Sequence, residues 1–219
     1  MAALFRLIEQ LRFLFLFAVL ILFCITKALD AQFGFWGLGD LVLFALIAFS
    51  LVLIGKGARR FLILLIVLSI AELLSILLSI LLAHPMTGPI KAFFTTFYFL
   101  LMAAVCLRYT FSDKTIDITT LFGSLSAYLF IGLSFAYLYS LLNFINPYAF
   151  SGLETGQDYL VIYYSFTTLT TTGFGDIVPK TPIARTLAWI ESFTGQAYLA
   201  IIMAQLVGRY VSDTLNARK

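Results

Sequence analysis

The chain has 219 residues, 62% of them hydrophobic and only 11% charged, with a mean hydropathy of +1.02. A soluble domain carries roughly 25% charge, so this composition belongs in a bilayer rather than in water. The net charge of +3 is spread over short loops, which leaves no basic face for nucleic acid, and Cys24 and Cys106 sit in separate apolar stretches as small buried hydrophobes rather than as a disulfide pair.

Six apolar stretches follow in order. The first, about 11–29, starts weakly basic, lacks a small-residue cleavage site and reads as a retained helix rather than a signal peptide. The second, about 39–54, is short, and Phe35 and Trp36 before it suit a membrane interface. The third covers 61–83, the fourth 90–107, the fifth 121–142 and the sixth 183–207. Most are long enough to cross about 30 Å of hydrocarbon at about 1.5 Å per residue. Residues 159–170, between the fifth and sixth, are too short to span but suit a re-entrant helix. The breaks fit: a basic turn at 55–60, a Pro-rich loop at 84–89, Asn143 to Pro147 ending the fifth helix, and Thr181-Pro182 supplying an N-cap and a proline at the first helical position. The predicted fold is an all-α membrane protein with six transmembrane helices and one re-entrant helix.

Charge orients it. With both termini inside, the inner side carries Arg6, Arg12, Lys56, Arg59, Arg60, Arg108, Lys114, Arg209, Arg218 and Lys219, and the outer side only Lys27, Lys91, Lys180 and Arg185. That asymmetry obeys the positive-inside tendency and predicts a multi-pass protein with cytoplasmic termini.

Between the re-entrant helix and the sixth stretch runs Thr168-Leu169-Thr170-Thr171-Thr172-Gly173-Phe174-Gly175-Asp176. This run resembles the pore signature of potassium channels, T-x-T-T-V-G-Y-G-D, in the order outer helix, pore helix, filter, inner helix. The resemblance is specific over about 121–210. It implies a pore domain at 116–212, preceded by a four-helix domain like a voltage sensor at 1–115 and followed by a short tail at 213–219. It also implies a homotetramer, because one strand offers too few oxygens to cage an ion and a ring of four strands suffices.

Each residue of the run then has an expected part. The Thr171 hydroxyl forms the innermost ring, and Thr171, Thr172, Gly173 and Phe174 direct carbonyls at the permeant potassium ion, which is the only ligand implied. Gly173 and Gly175 permit backbone angles closed to other residues. Asp176 stands at the outer mouth. Two positions depart from the family: Phe174 replaces Tyr and loses a bracing hydroxyl, and Thr172 replaces Val and gains a hydroxyl that needs a partner. Tyr164, from an aromatic pair common in the family, is expected to hydrogen-bond to Asp176. Thr167 stands where some relatives carry a carboxylate.

On the inner helix, Arg185 follows Pro182 as in related channels, and Gly195 matches the glycine at the family's inner-helix bend. Gln196, Leu199, Met203 and Val207 share one face and are expected to line the cavity and a hydrophobic gate. Glu191 lies six positions after Arg185, about 9 Å deeper along the helix; a carboxyl there needs a partner, and Thr167 and Thr168 are the expected ones. Glu72 in the third stretch poses the same question.

A voltage sensor needs a basic residue at every third position of its fourth helix. Here that helix has Lys91 at one end and Arg108 at the other, with nothing charged between, so weak voltage dependence is expected. The short segments at the termini suggest no cytoplasmic ligand-binding domain, and the compact plan suggests a prokaryotic inner membrane, with lipids and further copies of the chain as partners. A potassium-selective channel is the favoured reading. A weakly selective cation channel, motivated by Thr172, and a transporter component or non-conducting subunit are the alternatives. The single signature argues against a transporter, which needs four such loops in one chain, and the intact filter pattern argues against a non-conducting subunit. No catalytic triad, metal cluster or phosphate loop favours an enzyme.

Overall fold

The computed structural model describes residues 2–34, 39–43, 45–46, 59–82, 86–112 and 118–216. Its helices are α1 (Ala2–Phe33), α2 (Arg59–Leu82), α3 (Thr87–Ser112), α4 (Ile118–Ile145), α5 (Asp158–Leu169) and α6 (Pro182–Asn216). Residues 39–43 and 45–46, inside the expected second span, are helical too. Residues 2–10, expected as a short N-terminal segment, are instead continuous with α1. Among the described residues, four helical stretches are long and apolar enough to cross a membrane: Phe13–Phe33, Thr87–Phe111, Thr120–Ile145 and Pro182–Gln205, with a shorter apolar stretch at Ile63–Ser75.

Helix ends follow local chemistry. α4 stops before Asn146-Pro147, since proline neither donates a backbone hydrogen bond nor lets its predecessor stay helical. Thr181 Oγ1 accepts from Ala184 N at 3.3 Å and so caps α6, with Pro182 in its first position.

α4 is the hub: it packs against α3, α1, α5 and α6. The joint of α1, α3 and α4 is aromatic. Phe99 sits 5.9 Å from Phe23, 5.8 Å from Phe130 and 5.7 Å from Tyr137, ring centre to ring centre, and all four side chains are buried. In lipid, hydrocarbon contact with the surroundings is as good as with a neighbouring helix, so such close packing and polar pairs hold the bundle. α2 shows the other side of the same rule. Ile63, Val67, Ile70, Leu74, Leu77 and Leu81 recur at helical spacing and all are at least half exposed, the stripe that a bilayer would cover.

Two short strands position the site. β1 (Phe150–Ser151) pairs antiparallel with β2 (Val178–Pro179), Phe150 opposite Pro179 and Ser151 opposite Val178. The chain therefore leaves this level as α5 and returns to it as the strand that follows. On the way α5 is pressed against α4 and α6.

Candidate functional site

The last turn of α5 leaves carbonyls without helical partners, and the following strand supplies donors. Thr171 N donates to Thr168 O at 2.9 Å, and Thr172 N and Gly173 N both donate to Thr167 O, at 2.8 and 3.1 Å. Thr167 thus supports the strand through its carbonyl; its hydroxyl turns back to Tyr164 O at 2.9 Å.

Along the strand the backbone alternates. Thr171, Gly173 and Gly175 have φ of 58°, 53° and 81°, and Thr171 is the one non-glycine residue with positive φ among those described. Left-handed residues separated by ordinary ones turn successive peptide groups toward a common side, which a regular strand does not do. Holding Thr171 there costs about 1–2 kcal/mol, and its neighbours oppose relaxation by tying Thr172 and Gly173 to the helix end.

The extra hydroxyl at Thr172 has a partner. Its Oγ1 lies 2.9 Å from Thr170 Oγ1, and Thr170 spends its own hydrogen on Phe166 O at 2.7 Å, so Thr172 is the donor. Phe174 stacks on Tyr163, with ring centres 6.1 Å apart and planes 2° from parallel. The expected Tyr164–Asp176 bond is corrected: Tyr163 Oη donates to Asp176 Oδ2 at 2.8 Å. Neighbouring residues on a helix point about 100° apart, and the Tyr164 direction is the one facing α4. There Tyr164 is buried between Tyr139 and Phe150, at 5.0 and 5.4 Å. The Tyr163 hydroxyl, with the Ile177 amide at 3.0 Å, holds the Asp176 carboxyl below the usual carboxylate range.

Glu191 is fully buried and doubly held. Tyr139 Oη donates to its Oε2 at 2.6 Å, and Ser165 Oγ lies 2.5 Å from its Oε1 and 2.6 Å from Gly132 O. One carboxyl therefore joins α6 to both α4 and α5. This corrects the expected partners Thr167 and Thr168: Thr168 meets α6 through its carbonyl, which accepts from Ser192 Oγ at 3.1 Å. Depth along α6 places Glu191 beside the last turns of α5, but which α5 residue faces it depends on helix rotation. Glu72 is also buried, with Thr95 Oγ1 at 2.6 Å.

Gly195 serves a close approach. A Cβ there would lie 2.1 Å from Leu169 O, and α6 is helical straight through it. The next residue, Gln196, donates from Nε2 to Thr171 Oγ1 at 3.3 Å. Leu199 and Met203, one and two turns further, are 44% and 58% exposed in the single chain. The Val207 side chain is outside those described.

The sequence by itself does not single out Tyr139 or Ser165 as partners of Glu191. Tyr139 lies in an apolar run with nothing to mark it; Ser165, a polar residue among the aromatics of α5, is the signal available.

Residues 123–212 match a family model described as an ion channel. Two-pore potassium channel 4 of Arabidopsis thaliana is 35% identical over 68 residues, which are 31% of this chain. The chain spans about a quarter of that relative's length, 24%. No solved structure matches. Residues 123–212 are thus similar to an ion-channel domain, and the apolar helices make the chain a multi-pass membrane protein.

Proposed function

We propose that four copies of the chain assemble around the Thr171–Gly175 strand as a passive potassium channel without strong voltage gating. The observation that carries this is the alternating backbone at Thr171, Gly173 and Gly175, which lets consecutive carbonyls face one axis above the Thr171 hydroxyl. Four such strands supply the oxygens that replace an ion's hydration shell. Tyr163 stacked on Phe174 and bonded to Asp176 braces the strand from behind, in place of the hydroxyl that phenylalanine lacks. Ile183, Trp189 and Phe193 of α6 are 64%, 61% and 67% exposed in the single chain, apolar surface that neighbouring copies would cover.

On this reading residues 116–212 form the pore domain, 1–115 a sensor-like domain without gating charges and 213–219 a tail. Gln196, Leu199, Met203 and Val207 line the cavity and gate, and Glu191 holds the pore helix in place. Both termini are cytoplasmic, the membrane is the inner membrane of a prokaryotic cell, and potassium is the permeant ion. The relative's name, a potassium channel, agrees with this choice of ion.

The test is a potassium-gradient flux assay on purified protein in liposomes, with sodium as comparison and the detergent-corrected mass of the complex alongside. Potassium flux from a tetramer is expected. Equal sodium flux would select the weakly selective cation channel, and no flux from intact tetramers the non-conducting subunit. A monomer or dimer as the conducting species would end the pore assignment.

A further inference from the structure

We propose that Gln196 is the positioning residue of the innermost ion site: its side-chain amide sets how many lone pairs the Thr171 hydroxyl offers a cation. The inference rests on reading Thr171–Gly175 as an ion filter.

A threonine hydroxyl has one hydrogen and two lone pairs. The Thr171 hydrogen points to Thr170 O, at 2.7 Å. Gln196 Nε2, at 3.3 Å, occupies one lone pair, which leaves one for an ion. The fold delivers this contact. Because Gly195 lacks a side chain, α6 comes against Leu169 O, where a Cβ would stand only 2.1 Å away. The following residue is thereby carried under the first residue of the strand. The amide also sets its positive N–H end beside the oxygen that a cation would use. Both effects weaken cation binding at this one site and leave the carbonyl sites above untouched. An apolar side chain at 196 would do neither.

Barium applied from the cavity side is the probe, since it is close to potassium in size and carries twice the charge, so it reports the oxygens of the site it reaches. The full chain is reconstituted in planar bilayers. Gln196→Met keeps the length and removes the amide. It is expected to lower the half-blocking barium concentration about threefold to tenfold, the range given by one hydrogen bond of ordinary net strength. Gln196→Asn, one methylene too short to reach, is expected to behave the same way. In a Thr171→Val background, which keeps the shape without the hydroxyl, Gln196→Met is expected to change nothing further. If Thr171→Val passes no current, the same cycle is read as barium-induced thermal stabilisation of the purified tetramer. The inference is overturned if Gln196→Met matches the wild type, or shifts block by the same factor in both backgrounds. Either result leaves the channel reading standing; a wild type without potassium flux removes both.

Discussion

Lys27 Nζ lies 2.9 Å from Asp158 Oδ2, which ties the first helix to the first residue of α5 across 131 positions of sequence. The pair belongs to a larger cluster. Lys27 also reaches Asp40 at 2.9 Å, Lys91 meets the same Asp40 oxygen at 2.8 Å, and Tyr137 Oη donates to Asp158 at 3.3 Å. Two cations and two carboxylates neutralise each other, with Lys27 buried and both carboxylates partly exposed, the arrangement that makes a buried charge tolerable. Burial raises the Asp158 pKa, but Lys27 and Lys91 outweigh it and the net shift is downward. The peripheral helices are thereby anchored to α5, whose end holds the Thr171–Gly173 strand.

Removing one member should expose the value of the cluster. Lys27→Met leaves Asp158 and Asp40 undercompensated and is expected to cost about 2–4 kcal/mol of stability, measured by denaturation of the detergent-solubilised protein. The swap Lys27→Asp with Asp158→Lys should recover part of it. Because the folded Asp158 pKa is depressed, its contribution is present above the unfolded pKa and is lost as pH falls through the folded one. The gap between Lys27→Met and wild type should therefore narrow on acidification. A gap that widens would show that the carboxylate is not what Lys27 stabilises.

Gly173→Ala isolates backbone conformation from packing. No atom outside its chain neighbours lies within 4 Å of an added Cβ, yet φ is 53°. Within one chain the methyl has room and the cost is conformational, about 1–2 kcal/mol per subunit. Assembly is expected to survive, while potassium-selective flux is lost or made unselective. Unchanged flux and selectivity would show that the strand does not need this backbone angle.

Glu191→Ala leaves the Tyr139 hydroxyl without its acceptor, while Ser165 keeps only Gly132 O. Stranded buried polar groups cost about 1–3 kcal/mol, comparable with the few kcal/mol that separate two functional states. Open probability or sustained current is expected to change, with single-channel conductance little altered because the carboxyl faces α4 and α5. Glu191→Gln should show a smaller change. Gating identical to wild type in both variants would remove Glu191 from the support of the filter.

Tyr163→Phe tests the outer brace. Asp176 keeps a lowered pKa mainly through the Tyr163 hydroxyl, so its charge persists as pH falls until the depressed folded pKa is reached. Without that hydroxyl the carboxyl moves back toward its ordinary value. Outer-side acid inhibition of current is then expected at higher pH in Tyr163→Phe than in wild type, and an unmoved inhibition curve would detach Asp176 from Tyr163.

Voltage should matter little. One charge moved through 100 mV contributes about 2.3 kcal/mol, and α3 carries only Lys91, already paired with Asp40, and Arg108 near its far end. Neutralising both is expected to leave the conductance–voltage slope unchanged, and a steep slope abolished by these substitutions would contradict the reading of α3.

Several features were legible in the sequence because they depend on local composition. The span of α4 follows from its apolar run and its end from Pro147; the start of α6 follows from Thr181-Pro182. The glycine-spaced run from Thr171 to Gly175 marks a backbone that ordinary side chains disfavour. What the tertiary structure decided is which side chain meets which. Tyr163 rather than Tyr164 reaches Asp176, since one helical step turns a side chain by about 100° and only packing against α4 fixes the rotation. Glu191 bonds to Tyr139 and Ser165 because three helices converge there, and no spacing within one helix encodes a contact with another. Gly195 reads as a possible bend in sequence and proves to be a point of contact, since the carbonyl it accommodates belongs to Leu169, 26 positions away. The Lys27–Asp158 tie was the least visible, because charge alone sorts residues to one side of the membrane without pairing them.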